Sequence, residues 1–379
     1  MDKRIIVPSI VVRPVLPPPL EIGARIQPQW LHWQVGRYRE KLSFGPGGEG
    51  KARIWAPEKE GEQHNLILNQ FYDTLIPQHG LLRPSFYAAV GTGSTAPDPT
   101  QTQLANEIGT SSNPRRTGYT PPDQRSEIDA LATYGVYDIR RVLEFSEAEV
   151  GGLNLTEWGF SPVSSRNGPL MTRELFRDGS GNPVVLTIET DQRLRLIYRY
   201  RVTLSPTSPQ DVSVNIGGDG PGIRTAKFTL TGRYRLGSET NYEGLFLSTD
   251  RTYRTRRGDL LVIDRLMRGG GASDGIGRVA VSSGAAPLTY IHSVDSMDTA
   301  RGKALSYEAP VGRSRRASVL FGPTQANMTI KSVILNSAFA MNEFVNDPCI
   351  NLVFDNGQEF TKDSLHKLFI GYWQVTWRP

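Results

Sequence analysis

The stretch Arg193–Leu204, RLRLIYRYRVTL, decides the fold. Leu194, Leu196, Tyr198, Tyr200, Val202 and Leu204 take every second position. Arg193, Arg195, Arg199, Arg201 and Thr203 fall between them, and Ile197 is the departure from the pattern. Successive side chains of a strand point to opposite faces, so a period of two held this long specifies a half-buried antiparallel strand and excludes a helix. One face is apolar; the other is a ladder of four arginines. Because Arg is enriched in subunit contacts, Arg193, Arg195, Arg199 and Arg201 are interface candidates.

Working outward, further strands are expected around this one. Tyr137, Ile139, Leu143 and Phe145 keep the same spacing, with Arg141 intervening. In residues 29–68, Trp33, Val35 and Arg37 alternate with Gln34, Gly36 and Tyr38. The cluster Gly45-Pro46-Gly47-Gly48-Glu49-Gly50 then turns the chain into Lys51–Trp55, which reads as a hairpin. Asp178–Pro183 is a turn between Leu170–Phe176 and Val184–Ile188. Residues 205–340 continue as short strands, with Phe228, Leu230, Tyr234 and Leu236 alternating and Leu260-Leu261-Val262-Ile263 as a buried run. Asp355-Asn356-Gly357 between Ile350–Phe354 and Leu368–Trp377 is a hairpin signal. No 20–50-residue period repeats, which excludes a propeller or solenoid. The expected fold is all-β: an antiparallel β-sandwich with short helices. The expected organisation is an extended proline-rich arm at 1–28, a core from 29–205 plus 341–379, and an inserted β-rich lobe at 206–340.

Residues 65–108 supply the short helices. Leu68, Phe71, Tyr72 and Leu75 share a helical face, Asn69 is the expected N-cap, and Pro77 is expected to end the run. Phe86–Val90 reads as a buried strand leading into the turn Gly91-Thr92-Gly93. Thr100–Gln103 has capping-box spacing and predicts a second short helix carrying Leu104 and Ile108. Val90–Thr95 superficially looks like a phosphate loop, but it lacks the lysine that neutralises phosphate and no long helix comes directly after it; the turn is the better reading.

The 379 residues suffice for two or three domains of roughly 100–200 residues each. A net charge of +5 is too mild to imply nucleic acid by itself. The single cysteine, Cys349, excludes an intrachain disulfide and a cysteine-based metal site. The apolar run near the N-terminus is too short for a signal peptide, and no run of 18 apolar residues occurs. A soluble, unexported product without membrane insertion is expected. The arm pairs prolines with Ile6, Val11, Val12 and Val15, side chains that such a segment cannot bury by itself, so they are expected to lie along another subunit.

Of the five histidines, none has metal-ligand spacing, and no cofactor or metal is expected. No G-x-S-x-G elbow occurs. Asp129 with Asp138, or Glu147 with Glu149, can be proposed as catalytic carboxylates, but solvated acids are the simpler reading. Two basic clusters, Arg251, Arg254, Arg256 and Arg257, and Arg313, Arg315 and Arg316, suggest an anionic partner such as lipopolysaccharide, nucleic acid or an acidic subunit face. Tyr253 alone is too little aromatic surface for a base-stacking platform, so nucleic acid is not expected.

Several motifs resemble tailed-bacteriophage virion proteins of tail, baseplate or fibre-attachment assemblies. They are Gly36-Arg37-Tyr38-Arg39, Asn65-Leu66-Ile67-Leu68-Asn69, Ala89–Pro97 with Gln103-Leu104, Leu153–Phe160, Leu175–Asp178, Gly181-Asn182-Pro183, the strand with Tyr198 and Tyr200, and the terminal Val375-Thr376-Trp377-Arg378. The resemblance covers residues 30–205 and 340–379. It implies a structural virion component, made in the host cytoplasm, that assembles with itself and with other tail or head-tail proteins. It carries over no catalytic residue. Two other readings compete. A receptor-binding tail protein recognising host-surface glycan would expose aromatic residues of the lobe, such as Tyr242, Tyr253 and Tyr290. A glycan depolymerase would need two carboxylates in one cleft.

Overall fold

A computed structural model describes residues 20–45, 48–118, 127–130, 136–206, 209–216, 222–230, 258–269, 277–284, 303–337 and 348–379. The fold is mainly β, with several sheets and few short helices.

The largest sheet has eight strands and curls into a half-barrel. Its long strand Leu20–Gly45 pairs antiparallel with the central strand Arg193–Ser205, which pairs in turn with Val136–Phe145 and, beyond it, Glu127–Ala130. The inner face of the central strand is as the alternation predicts: Leu194, Leu196, Tyr198, Tyr200, Val202 and Leu204 are all fully buried. On the other side Leu20–Arg25 runs parallel to Trp373–Arg378 of the terminal strand Leu368–Arg378. The sheet is therefore mixed rather than purely antiparallel. No short turn links the first and last strands, so their relative direction is set by packing alone.

Six strands form a second sheet in the order Gln210–Ile216, Gly222–Leu230, Pro348–Phe354, Ser332–Ser337, Gly277–Ser282 and Lys303–Ala304. Leu66–Ile67, Thr172–Leu175, Glu157–Ser161 and Tyr87–Gly91 make a four-stranded sheet. Strand pairing crosses the 206–340 boundary in both directions. Ser314–Phe321 joins the half-barrel through the terminal strand, and Pro348–Phe354 joins the second sheet. Asp355-Asn356-Gly357 is a turn, with Gly357 at φ 77° and the Gln358 N–H on the Asp355 carbonyl at 2.9 Å. It is not a hairpin between Ile350–Phe354 and Leu368–Trp377, because those segments enter different sheets. One contiguous core joins the layers: Ile22, Phe71, Trp158, Tyr198, Phe228, Ile263 and Trp373 all belong to it.

Four local expectations are corrected. A π-helical turn, Phe71–Leu75, runs directly into an α-helical turn, Ile76–His79, so Pro77 sits inside the helix instead of ending it. The Ile76 N–H reaches back five residues to the Phe71 carbonyl. The next such bond would come from residue 77, but proline has no N–H. The Tyr72 carbonyl accepts from the Trp377 indole Nε1–H of the terminal strand instead, at 2.6 Å. Gln70, not Asn69, precedes the π-turn, and no side chain caps it.

Thr100–Gln103 opens no helix. The Thr100 hydroxyl and N–H both donate to Asp98 Oδ1, at 2.5 and 2.8 Å, closing a local turn that competes with a helix. Finally, Leu260–Ile263 lies in the α-helix Gly258–Arg268, not in a strand. A short apolar run does not discriminate the two. The helical spacing emerges only over the longer segment: Ile263, Leu266 and Met267 reach the core, while Asp264 pairs with Arg268 at i,i+4.

Candidate interaction surface

The four arginines of the central strand lie on its outer face, but most of that face is covered by the same chain. Near Gly36, where a Cβ would come within 2.3 Å of the Ala56 carbonyl, the hairpin Leu20–Gly45/Gly48–Gln63 shifts register. Tyr38 and Trp55, opposite each other in the hairpin, then roof the arginines with rings 5.5 Å apart. Arg195 is fully buried. Its guanidinium lies 4.2 Å from the Trp55 ring centroid, binds Glu144 Oε2 through Nε (3.1 Å) and Nη2 (2.8 Å), and donates to the Tyr38 hydroxyl. Arg193 bridges Glu144 (2.9 Å) and Glu147 (2.5 Å), and Arg201 makes a two-pronged pair with Asp138 at 2.7 and 2.9 Å. Arg199 lies 5.0 Å from the ring of Trp30, which is opposite it in the sheet. The expected open ladder is thus corrected: Arg195 is interior, and Arg193 and Arg201 are neutralised by cross-strand acids.

The second basic cluster also divides. Arg313 pairs with Asp73 at 2.7 Å and lies 5.0 Å from the Tyr72 ring, while Arg316 is exposed and donates to Gln374. Arg315 is buried between the ends of two helices. Its Nη2 donates to the Pro77 carbonyl at 3.3 Å, and a Cβ on Gly269 would come within 2.1 Å of its Nη1. A cation at helix C-termini meets the unpaired carbonyls there, so Arg315 is a structural clamp and not a surface group. Ile6, Val11, Val12, Val15, Arg251, Arg254, Arg256, Arg257, Tyr242, Tyr253 and Tyr290 lie outside the described residues.

Three of the carboxylates singled out from the sequence, Asp138, Glu147 and Glu149, have structural partners. Asp138 faces Asp129 in register but holds Arg201. Hydrogen bonding to Arg193 lowers the pKa of Glu147, and Glu149 closes a capping box on Ser146. His32 contacts Glu60 at 3.2 Å, and His366 contacts Asp363 at 2.6 Å. Among the described residues, no three His, Cys, Asp or Glu side chains are grouped to hold a metal ion, and no helix is long and apolar enough to cross a membrane.

A buried ion pair that the residue pattern does not announce lies at the glycine turn. Gly91-Thr92-Gly93 does cradle an anion, and that anion is the chain's own Glu157. A Cβ on Gly91 or Gly93 would fall within 2.5 or 2.4 Å of Glu157 Oε1. This fully buried carboxylate accepts the N–H groups of Gly93 (3.1 Å), Ala105 (3.0 Å) and Asn106 (2.7 Å) and pairs with fully buried Arg173 at 2.8 Å. A second buried pair, Glu107 with Arg116 at 2.7 Å, fastens the same loop through Ser161 Oγ and the carbonyls of Val163 and Gly168. The signal available was a glutamate at the head of the otherwise apolar run Trp158-Gly159-Phe160. In the helix Gly258–Arg268, Asp264 accepts the N–H groups of Leu81 (2.6 Å) and Leu82 (3.2 Å), tying that helix to the turn after His79. Comparison with protein-family models, curated proteins and solved structures finds no match to this chain.

Proposed function

We propose that this chain is a structural subunit of a bacteriophage tail, a tail, baseplate or fibre-attachment component, acting through protein–protein assembly and not through catalysis. The observation that carries the assembly reading is the use of its charged side chains. Glu107, Glu144, Glu147, Glu157 and Asp138 each hold an arginine of the same chain. Such pairs fasten loops and strands, and they commit these carboxylates to structural contacts. The assignment to a phage tail rests on the motif resemblance. Within this reading the half-barrel and the second sheet are layers of one sandwich-like body, the lobe supplies the second sheet apart from Pro348–Phe354, and the proline-rich segment before Leu20 meets a neighbouring subunit.

Deleting residues 1–19 tests this. The full chain is expected to sediment as an assembly, and the deleted chain as a smaller species with the same circular dichroism. A full chain that stays monomeric at high concentration would overturn the reading.

A further inference from the structure

We infer that the edge strand Gln210–Ile216 pairs with the same strand of a second copy across a two-fold axis, joining their six-stranded sheets; this rests on the self-assembly just proposed. The two long sheet edges contrast. Among the described residues Gly48–Gln63 pairs only with Leu20–Gly45, and along its length it carries Pro57, Lys51, Arg53, Lys59 and several glutamates. Proline and charge are the means by which edges avoid pairing.

Gln210–Ile216, QDVSVNI, has none of these protections apart from Asp211, whose carboxylate is held by Lys227 on the neighbouring strand. Among the described residues it pairs only with Gly222–Leu230, so its outer backbone groups face no strand. Its inward side chains are also incompletely covered: Val212, Val214 and Ile216 pack against the core but are only half-buried. A β-branched edge with so little charge and no proline is a template for another strand.

The occupant is set by the pattern. An antiparallel two-fold centred on Ser213 places Val212 opposite Val214 of the second copy, on the core side. It places Ser213 opposite Ser213 of the second copy, on the exposed side. The contact is self-complementary, as an isologous interface must be. Cross-strand β-branched pairs on one face stabilise such pairing, and like charges directly opposite oppose it.

The test is a charge placed on the axis. Ser213 is exposed, so Ser213→Lys and Ser213→Asp are expected to keep the parent's thermal transition. In sedimentation velocity each variant alone should show half the parent's assembly mass, and an equimolar mixture should restore it. An unchanged mass in Ser213→Lys overturns the edge contact. If the 1–19 deletion reduces the mass while Ser213→Lys does not, the occupant is wrong but the assembly reading stands. If the parent itself is monomeric, both fall.

Discussion

Glu157 shows how single residues fix this molecule. Five donors converge on one buried carboxylate, three from backbone N–H groups and two from Arg173. Removing one member of a buried ion pair strands the other without solvent. Glu157→Gln is therefore expected to lower stability by about 3–5 kcal/mol in urea unfolding; a loss under about 1 kcal/mol would mean that the loop 93–106 is held by other contacts. Trp377 plays a smaller role of the same kind. It supplies the donor that Pro77 cannot, so Trp377→Phe leaves the Tyr72 carbonyl buried without a partner. The expected cost is about 1–3 kcal/mol by the same measurement, and Trp377→Phe at parental stability would show that another donor reaches this carbonyl.

At the scale of elements, the hairpin matters most, because its return strand closes over the central strand's arginines. Glu58 fastens it by accepting from Gln192, Arg37 and Arg39. These hydrogen bonds, that from Gln192 foremost, lower its pKa from 4.5 to about 2. The unfolded chain takes up this proton near 4.5, whereas the folded chain resists until about 2. The contribution of Glu58 is thus fully present above pH 4.5, declines as pH falls, and is gone near pH 2. Glu58→Gln should flatten the acid limb of the stability profile in that window; an identical slope in parent and variant would show that the clamp contributes nothing.

The whole molecule depends on where its first strand begins. Residues 20–28 fall within the predicted arm, yet they belong to a strand bonded on both sides: Leu20–Arg25 to the terminal strand, and Gly23–Pro28 to the central strand. Deleting residues 1–19 should leave the thermal transition in place, whereas deleting 1–28 should remove or sharply lower it, since it opens the middle of the half-barrel. Equal melting of the two deletions would show that this strand is dispensable.

The sequence by itself determined the β class, the faces of the central strand and the turns at Asp178–Pro183 and Asn356-Gly357. These arise from side-chain alternation and from backbone preferences that act over a few residues. Only the tertiary structure decided that Arg195 is interior, that Arg315 is buried on the Pro77 carbonyl, that Pro77 is tolerated within a helix and that Gly91-Thr92-Gly93 cradles Glu157. In each case the deciding partner is distant in sequence: Trp55 and Glu144 for Arg195, Pro77 for Arg315, Trp377 for the helix, and Glu157 for the glycines. A charged side chain reads as exposed until the group that neutralises it is brought alongside, and packing of the strands is what brings it there.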